Sequence, residues 1–189
     1  MKGGALLRPR AGGREMGARP DRSRAMSEDP SIVPFADGDV AAIVDLWSRC
    51  GLTRPWNDPV ADIRLARASG HGEVMVARAG GRIAGAAMVG HDGHRGAIYY
   101  LAVDPADRRA GLGRRLVAAA EAWCRARGVP KINLMVRREN AGVLAFYAAI
   151  GFADTDCVSL WKAVDPDRAE IETALKADWA ARRTRAAEG

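Results

Sequence analysis

Tyr99-Tyr100-Leu101-Ala102-Val103-Asp104-Pro105 runs on through Arg108-Arg109-Ala110-Gly111-Leu112-Gly113-Arg114 into the apolar-periodic stretch Leu116 to Ala126. A strand, a glycine-punctuated loop and a helix follow one another without interruption, and that succession builds a pocket for a phosphate-bearing ligand. The first turn of a helix leaves about four backbone N–H groups without partners, and the macrodipole adds roughly half a positive charge there. An anion is the natural guest. Gly111 and Gly113 lack a Cβ, so the backbone can come close to a bulky pyrophosphate, and Arg108, Arg109, Arg114 and Arg115 add positive charge. The lettering is neither the G-x-x-x-x-G-K-[ST] of a nucleoside triphosphate loop nor the G-x-G-x-x-G of a dinucleotide fold. It is Arg108-x-x-Gly111-x-Gly113, which taken alone also fits a surface turn before an ordinary helix.

The downstream sequence narrows the reading. Gly128-Val129-Pro130 breaks the chain, Ile132 to Val136 reads as a short buried strand, and Asn140 opens a second helix closed by Gly151, where a left-handed cap is expected. Leu101-Ala102-Val103-Asp104-Pro105, the Arg108 loop, and Asn140 followed by Tyr147 and then Gly151-Phe152 occur in one order and spacing. On these motifs the chain resembles the GNAT superfamily of acyl-coenzyme A-dependent N-acetyltransferases. Arg54-Pro55-Trp56-Asn57-Asp58-Pro59 and Asp92-Gly93-His94-Arg95-Gly96 are similar to the small bacterial YpeA-type members. The resemblance covers about Ser31 to Lys162.

The resemblance implies an α/β (α+β) fold, with a central, mostly antiparallel, twisted sheet of six to seven strands splayed at the cofactor site and flanked by helices. It implies acetyl-coenzyme A as acyl donor and no metal. The loop Arg108, Arg109, Ala110, Gly111, Leu112, Gly113 and Arg114 would cradle the pyrophosphate, while Leu101, Ala102 and Val103 align the pantetheine arm beside a strand bulge. Asn140 would also touch the cofactor, and Tyr147 would protonate the departing sulfur as general acid. Tyr147 beside Phe146 also fits a plain core residue. Relatives that acetylate ribosomal-protein N-termini use a Glu where Met135 stands, a departure that leaves the base open among Tyr99 acting through water, Asp92, His94 and Glu139.

The acceptor pocket implied by the resemblance combines Arg54, Trp56, Asn57 and Asp58 with the hairpin around Asp92 and His94. Asp58 is equally a helix cap before Pro59. The expected activity is transfer of an acetyl group to a primary amine by direct attack, the acceptor being a small molecule or a peptide or protein amine. Two other classes stay open: a non-catalytic acyl-coenzyme A sensor or interaction module, and a peptide N-terminal acetyltransferase with a basic arm contacting RNA or the ribosome.

Composition sets the remaining bounds. At 189 residues and 48% hydrophobic, the chain has one-domain length and material for a core. Cys50, Cys124 and Cys157 are odd in number and far apart, which points to a reducing, cytoplasmic setting rather than a disulfide framework. Of the net charge of +6, five charges arise in residues 1 to 25, where Lys2 and six arginines outnumber Glu15 and Asp21. The reading is therefore a disordered Arg/Gly-rich extension over 1–26, non-native or following a misplaced start, an acetyltransferase domain over 27–164 and a helical extension over 165–189. Nucleic acid and membrane are not the expected partners. A homodimer through the C-terminal helix is left open.

Between these landmarks the pattern predicts a strand at Ile32 to Phe35, a helix Val40 to Arg49 capped by Asp37 or Asp39, and a helix from Pro59 to Ala68. Strands Glu73 to Ala79 and Arg82 to Gly90 are joined by Gly80-Gly81, and Ala97 to Val103 follows Asp92-Gly93. A final strand is expected at Val158 to Lys162. Ile171, Leu175 and Trp179 suggest the apolar stripe of the last helix. His91 and His94 supply only part of a metal site.

Overall fold

The structure is a computed structural model that describes residues 30–188. The expected extension over 1–26 lies outside the described residues. Strands β1 (Ser31–Pro34), β2 (Gly72–Ala79), β3 (Arg82–His91), β4 (Gly96–Val103) and β5 (Ile132–Asn133) form one sheet in sequence order. The first four are antiparallel and β5 joins parallel to β4. Helices α1 (Val40–Arg49) and α2 (Pro59–Ala68) cover one face, while α3 (Leu112–Arg125) and α4 (Ala141–Ala148) pack on the other. Helix α5 (Pro166–Glu188) follows.

Both faces are buried because the strands carry apolar side chains on both sides. Val74, Val76, Ala86 and Met88 meet Ile43, Leu46 and Trp47 of α1 and Ile63 of α2. Met75, Ala77, Ala87 and Val89 meet Leu112, Leu116, Val117, Ala120 and Cys124 of α3. Glycine lets α3 lie close to the sheet: a Cβ on Gly85 would stand 3.0 Å from Leu116 Cδ1 and 3.0 Å from the Ala102 carbonyl oxygen. Full burial of Leu116 stabilises the layer by about 1.5–3 kcal/mol.

Three expectations are corrected. The sheet has five strands among the described residues, against the six to seven expected. The strand expected over 132–136 shrinks to two residues, because β4 veers from it after Gly96 pairs with Ile132 and Ala97 with Asn133. The strand expected at Val158 to Lys162 does not form; its alternation is present, but Val158 and Leu160 are 84% and 89% exposed and no ladder partner takes them. Asp39 occupies the N-cap position of α1 yet makes no side-chain cap bond. Its carboxylate accepts the Ala36 N–H at 2.9 Å and pairs with Arg78 at 2.6 Å, while Asp37 pairs with Arg67.

The inward face of α5 is also rotated from expectation. Ile171 is 61% exposed, while Glu172, Leu175, Lys176 and Trp179 are half-buried. Trp179 meets Trp56 edge-on at 5.5 Å, and Lys176 Nζ sits 3.1 Å over the Trp161 ring.

Candidate active site

The chain turns from β4 into α3 through a loop with two left-handed residues, Arg109 (φ +68°) and Gly111 (φ +79°). Alternating right- and left-handed backbone makes a concave nest of N–H groups that favours anions. The first helical bond donates from Arg115 N to the Gly111 carbonyl at 3.1 Å, so the N–H groups of Leu112, Gly113 and Arg114 precede the ladder. A cavity of about 360 Å³ opens there, lined by Arg108, Arg109, Gly111, Gly113, Arg114 and Phe146, among others. A Cβ on Gly111 would project into open space, which is the room a phosphate needs.

The arginines contribute less directly than their number suggests. Arg108 donates back to the Val103 carbonyl at 3.4 Å, Arg114 reaches the Ala149 carbonyl at 3.5 Å, and Arg115 reaches the Pro30 carbonyl at 2.5 Å. The cradle is built chiefly of main chain.

Upstream of it, β4 bulges. Met88 pairs with Tyr99 and Ala86 with Ala102, so Tyr100 and Leu101 together face Ala87, and Tyr100 takes φ +53°. The extra residue turns both tyrosines toward the α1/α2 face, while Leu101 and Val103 pack with the α3 core. Tyr99 is 47% exposed. Tyr100 stacks on Trp47 with centroids 4.2 Å apart and donates its hydroxyl to Asp62 Oδ2 of α2 at 2.7 Å. Its hydroxyl is pushed up to about 12, first by burial and then by Asp62, with Asn57 and Arg54 acting in the opposite direction.

Leu101 and Val103 lie beyond the last residue that β5 pairs, so β4 and β5 splay toward the cradle. On that side Tyr147 of α4 is 8% exposed, set edge-on between Phe146 (5.0 Å) and Phe152 (5.3 Å), and burial pushes its hydroxyl up to about 12. It holds its proton at neutral pH. Asn140 caps its own helix, its Oδ1 accepting from Val143 N at 3.3 Å, while its amide nitrogen has no hydrogen-bond partner among the described residues. Gly151 takes the left-handed cap conformation, φ +93°.

On the α1–α2 loop, Arg54 donates to the Gly51 and Thr53 carbonyls at 2.6 and 2.7 Å. Asp58 caps α2, accepting from Val60 N at 2.9 Å and Ala61 N at 3.1 Å. Pro55, Trp56, Asn57 and Asp58 line a second cavity of about 220 Å³ against α5. Asp92 and His94 stand apart from this group. They occupy the turn at the start of β4, roughly 23 Å along that strand from Val103 at about 3.3 Å per residue. Asp92 accepts from Arg95 N at 2.6 Å and His94 N at 2.7 Å, and those bonds hold its carboxyl below the usual range. Such a carboxylate is a turn cap and a weak base. Glu139 is exposed, and Met135, 67% exposed, offers only a thioether, with Ser159 Oγ 3.0 Å away.

Tyr100, Asp62 and Trp47 form a stacked and hydrogen-bonded group on the bulged strand that the sequence alone did not single out. The signal was there: two adjacent tyrosines break the period of two in Ile98 to Val103, which is what a bulge does. Among the described residues no group of three or more His, Cys, Asp or Glu is placed to hold a metal, and His91 packs against His71 and Trp123 instead of pairing with His94. Nor is any described helix long and apolar enough to cross a membrane.

Comparison with known proteins agrees with this geometry. The model of the acetyltransferase (GNAT) family matches residues 40–152. A protein named acetyltransferase from Pectobacterium atrosepticum is 42% identical over 134 residues, 71% of this chain and 95% of that one. A namesake from Sodalis glossinidius is 42% identical over 126 residues, covering 67% and 89%. Among solved structures, an aminoglycoside N-acetyltransferase in complex with CoA superposes with a TM-score of 0.63 at 21% identity, over 74% of this chain and 97% of that one. Glucosamine-6-phosphate N-acetyltransferase from Arabidopsis thaliana gives 0.57 at 22% identity, over 73% and 100%. Those last two likenesses speak to the fold, and the family match and the close relatives speak to kinship: this chain belongs to the acetyltransferase (GNAT) family.

Proposed function

We propose that the protein transfers an acetyl group from acetyl-coenzyme A to a primary amine, by direct attack and without a covalent enzyme intermediate. One observation carries the reading: β4 and β5 part after two paired residues, and the gap between them leads into a main-chain anion cradle at the start of α3. The donor supplies the activated thioester. The N–H groups from Arg109 to Arg114 hold its pyrophosphate, Leu101 and Val103 offer backbone groups to its pantetheine arm, and the free amide nitrogen of Asn140 adds a contact.

Tyr147 then acts as general acid. Burial keeps its hydroxyl protonated through the whole neutral range, so it reaches the thiolate-forming step with a proton to give. The amine approaches from the α1/α2 side, where Tyr99 stands exposed on the bulged strand and can order the water that receives the amine's proton. Arg54, Trp56 and Asn57 frame that approach.

The deciding measurement is release of free CoA thiol from acetyl-coenzyme A over an amine and peptide panel, with mass spectrometry of the products. We expect a mono-acetylated amine in stoichiometric amount with the thiol. Tight CoA binding without thiol release from any acceptor would replace the enzyme by a CoA-binding module.

A further inference from the structure

Helix α5 lies outside the family span of residues 40–152, yet it closes one side of the acceptor approach. The cavity it forms with the α1–α2 loop is about 220 Å³, below the roughly 300–1,000 Å³ of pockets for drug-sized ligands and suited to something the size of one amino acid. The Trp56 ring makes one wall, and Ile171 and Leu175 of α5 make the other. Ile171 is 61% exposed beside it, an apolar surface that a ligand would cover.

The charges around this cavity are unequal in what they have left to offer. Asp58 turns one carboxylate oxygen, Oδ1, to both Val60 N and Ala61 N. Glu172 is paired with Lys176 Nζ at 2.6 Å, and Asp62 accepts the Tyr100 hydroxyl at 2.7 Å. Arg168 differs. Its backbone N–H turns toward Asp165, but its guanidinium has no ion pair or hydrogen bond among the described residues. A guanidinium binds a carboxylate through two parallel hydrogen bonds.

The cavity also communicates with the bulge. Asn57, in its lining, bears on the Tyr100 hydroxyl and opposes the rise that burial and Asp62 cause, and Tyr100 immediately precedes Leu101 on β4.

We propose that this cavity seats the non-reacting part of the acceptor, and that the acceptor is an amine bearing an apolar side chain and a carboxylate, with Arg168 as the carboxylate's partner. The inference rests on the acetyl-transfer reading above. Trp56, Ile171 and Leu175 select the apolar body, and α5 makes the selection particular to this chain.

The test uses the full chain with saturating acetyl-coenzyme A and follows CoA release for L-leucine and L-phenylalanine against their carboxamides, with spermidine and kanamycin as polycations. We expect kcat/KM to favour each carboxylate over its amide by about tenfold, which is about 1.4 kcal/mol. In Arg168→Gln the KM for L-leucine should rise to that of the amide, and Arg168→Lys should restore part of the difference. Equal kcat/KM for acid and amide, or a polycation as the best acceptor, would overturn the inference while leaving acetyl transfer standing. Calorimetry with N-acetyl-L-leucine and its amide reads the cavity without turnover: selective binding lost in Arg168→Gln supports the inference even if acetyl transfer fails, and indifference to the carboxylate refutes it.

Discussion

Tyr147 and Tyr100 occupy opposite faces of the sheet, and the same physical cause, burial, sets both hydroxyls near 12. Tyr147→Phe removes the proposed proton donor with almost no change in volume, so kcat should fall about a hundredfold while affinity for CoA holds. Steady-state CoA release and calorimetry check both halves, and an undiminished kcat removes Tyr147 from the mechanism. The raised values also set an alkaline limit. Below pH 10 both tyrosines are protonated whether the chain is folded or not. Between pH 10 and about 12 the unfolded chain releases protons that the native state keeps, so stability falls as pH rises through that window. Urea midpoints across it should drop in the wild type and flatten in the Tyr100→Phe, Tyr147→Phe double variant. The helix that Asn140 caps and that carries Tyr147 was legible because its cap and its closing glycine are local signals. Tyr100 and Asp62 were not, since their meeting depends on a bulge that rotates one side chain to the other face.

At the scale of elements, two glycines separate packing from function. Gly96 begins β4 where a Cβ would stand 2.7 Å from the buried Cys124 Sγ and 3.2 Å from Ile132 Cγ1. Gly96→Ala should therefore cost about 1–3 kcal/mol by overpacking, and Cys124→Ala in the same chain should return most of it in urea denaturation. Gly111 is the opposite case. Nothing lies within 4 Å of its added Cβ, yet φ +79° suits glycine. Gly111→Val should abolish CoA binding measured by calorimetry while the chain still folds cooperatively, at a strain cost of about 1–3 kcal/mol. The helices and the β2–β3 hairpin were legible because caps, periodicity and Gly80-Gly81 are local signals. Val158 to Lys162 was misread because alternation states a preference for pairing, and pairing requires a partner strand that β5, two residues long, does not provide.

For the whole molecule, the proposed donor and acceptor sites hang on different parts of the chain. Helix α5 touches the α1–α2 loop through Trp56, and Lys176 meets Trp161, whereas the cradle is held by β4, α3 and Phe146 of α4. Deleting residues 165–189 should accordingly leave CoA affinity unchanged and raise the KM of the acceptor. Equilibrium titration with CoA and acceptor kinetics on the shortened chain check this, and a parallel loss of CoA affinity would contradict it. The packing of α5 on the α1–α2 loop could not be read from the sequence, because Trp56 and Trp179 are more than a hundred positions apart and meet only in three dimensions.

The main-chain cradle has a further consequence, in the history such a chain can have. A nest of N–H groups is the same whatever side chains hang from it, given glycine at Gly111, so mutations drifting through the loop change little of what it holds. The proposed acceptor cavity is lined by side chains instead, on the α1–α2 loop and on α5, which bear little of the core. On the proposed function, descendants of this sequence would trade one acceptor for another without relearning how to hold the donor.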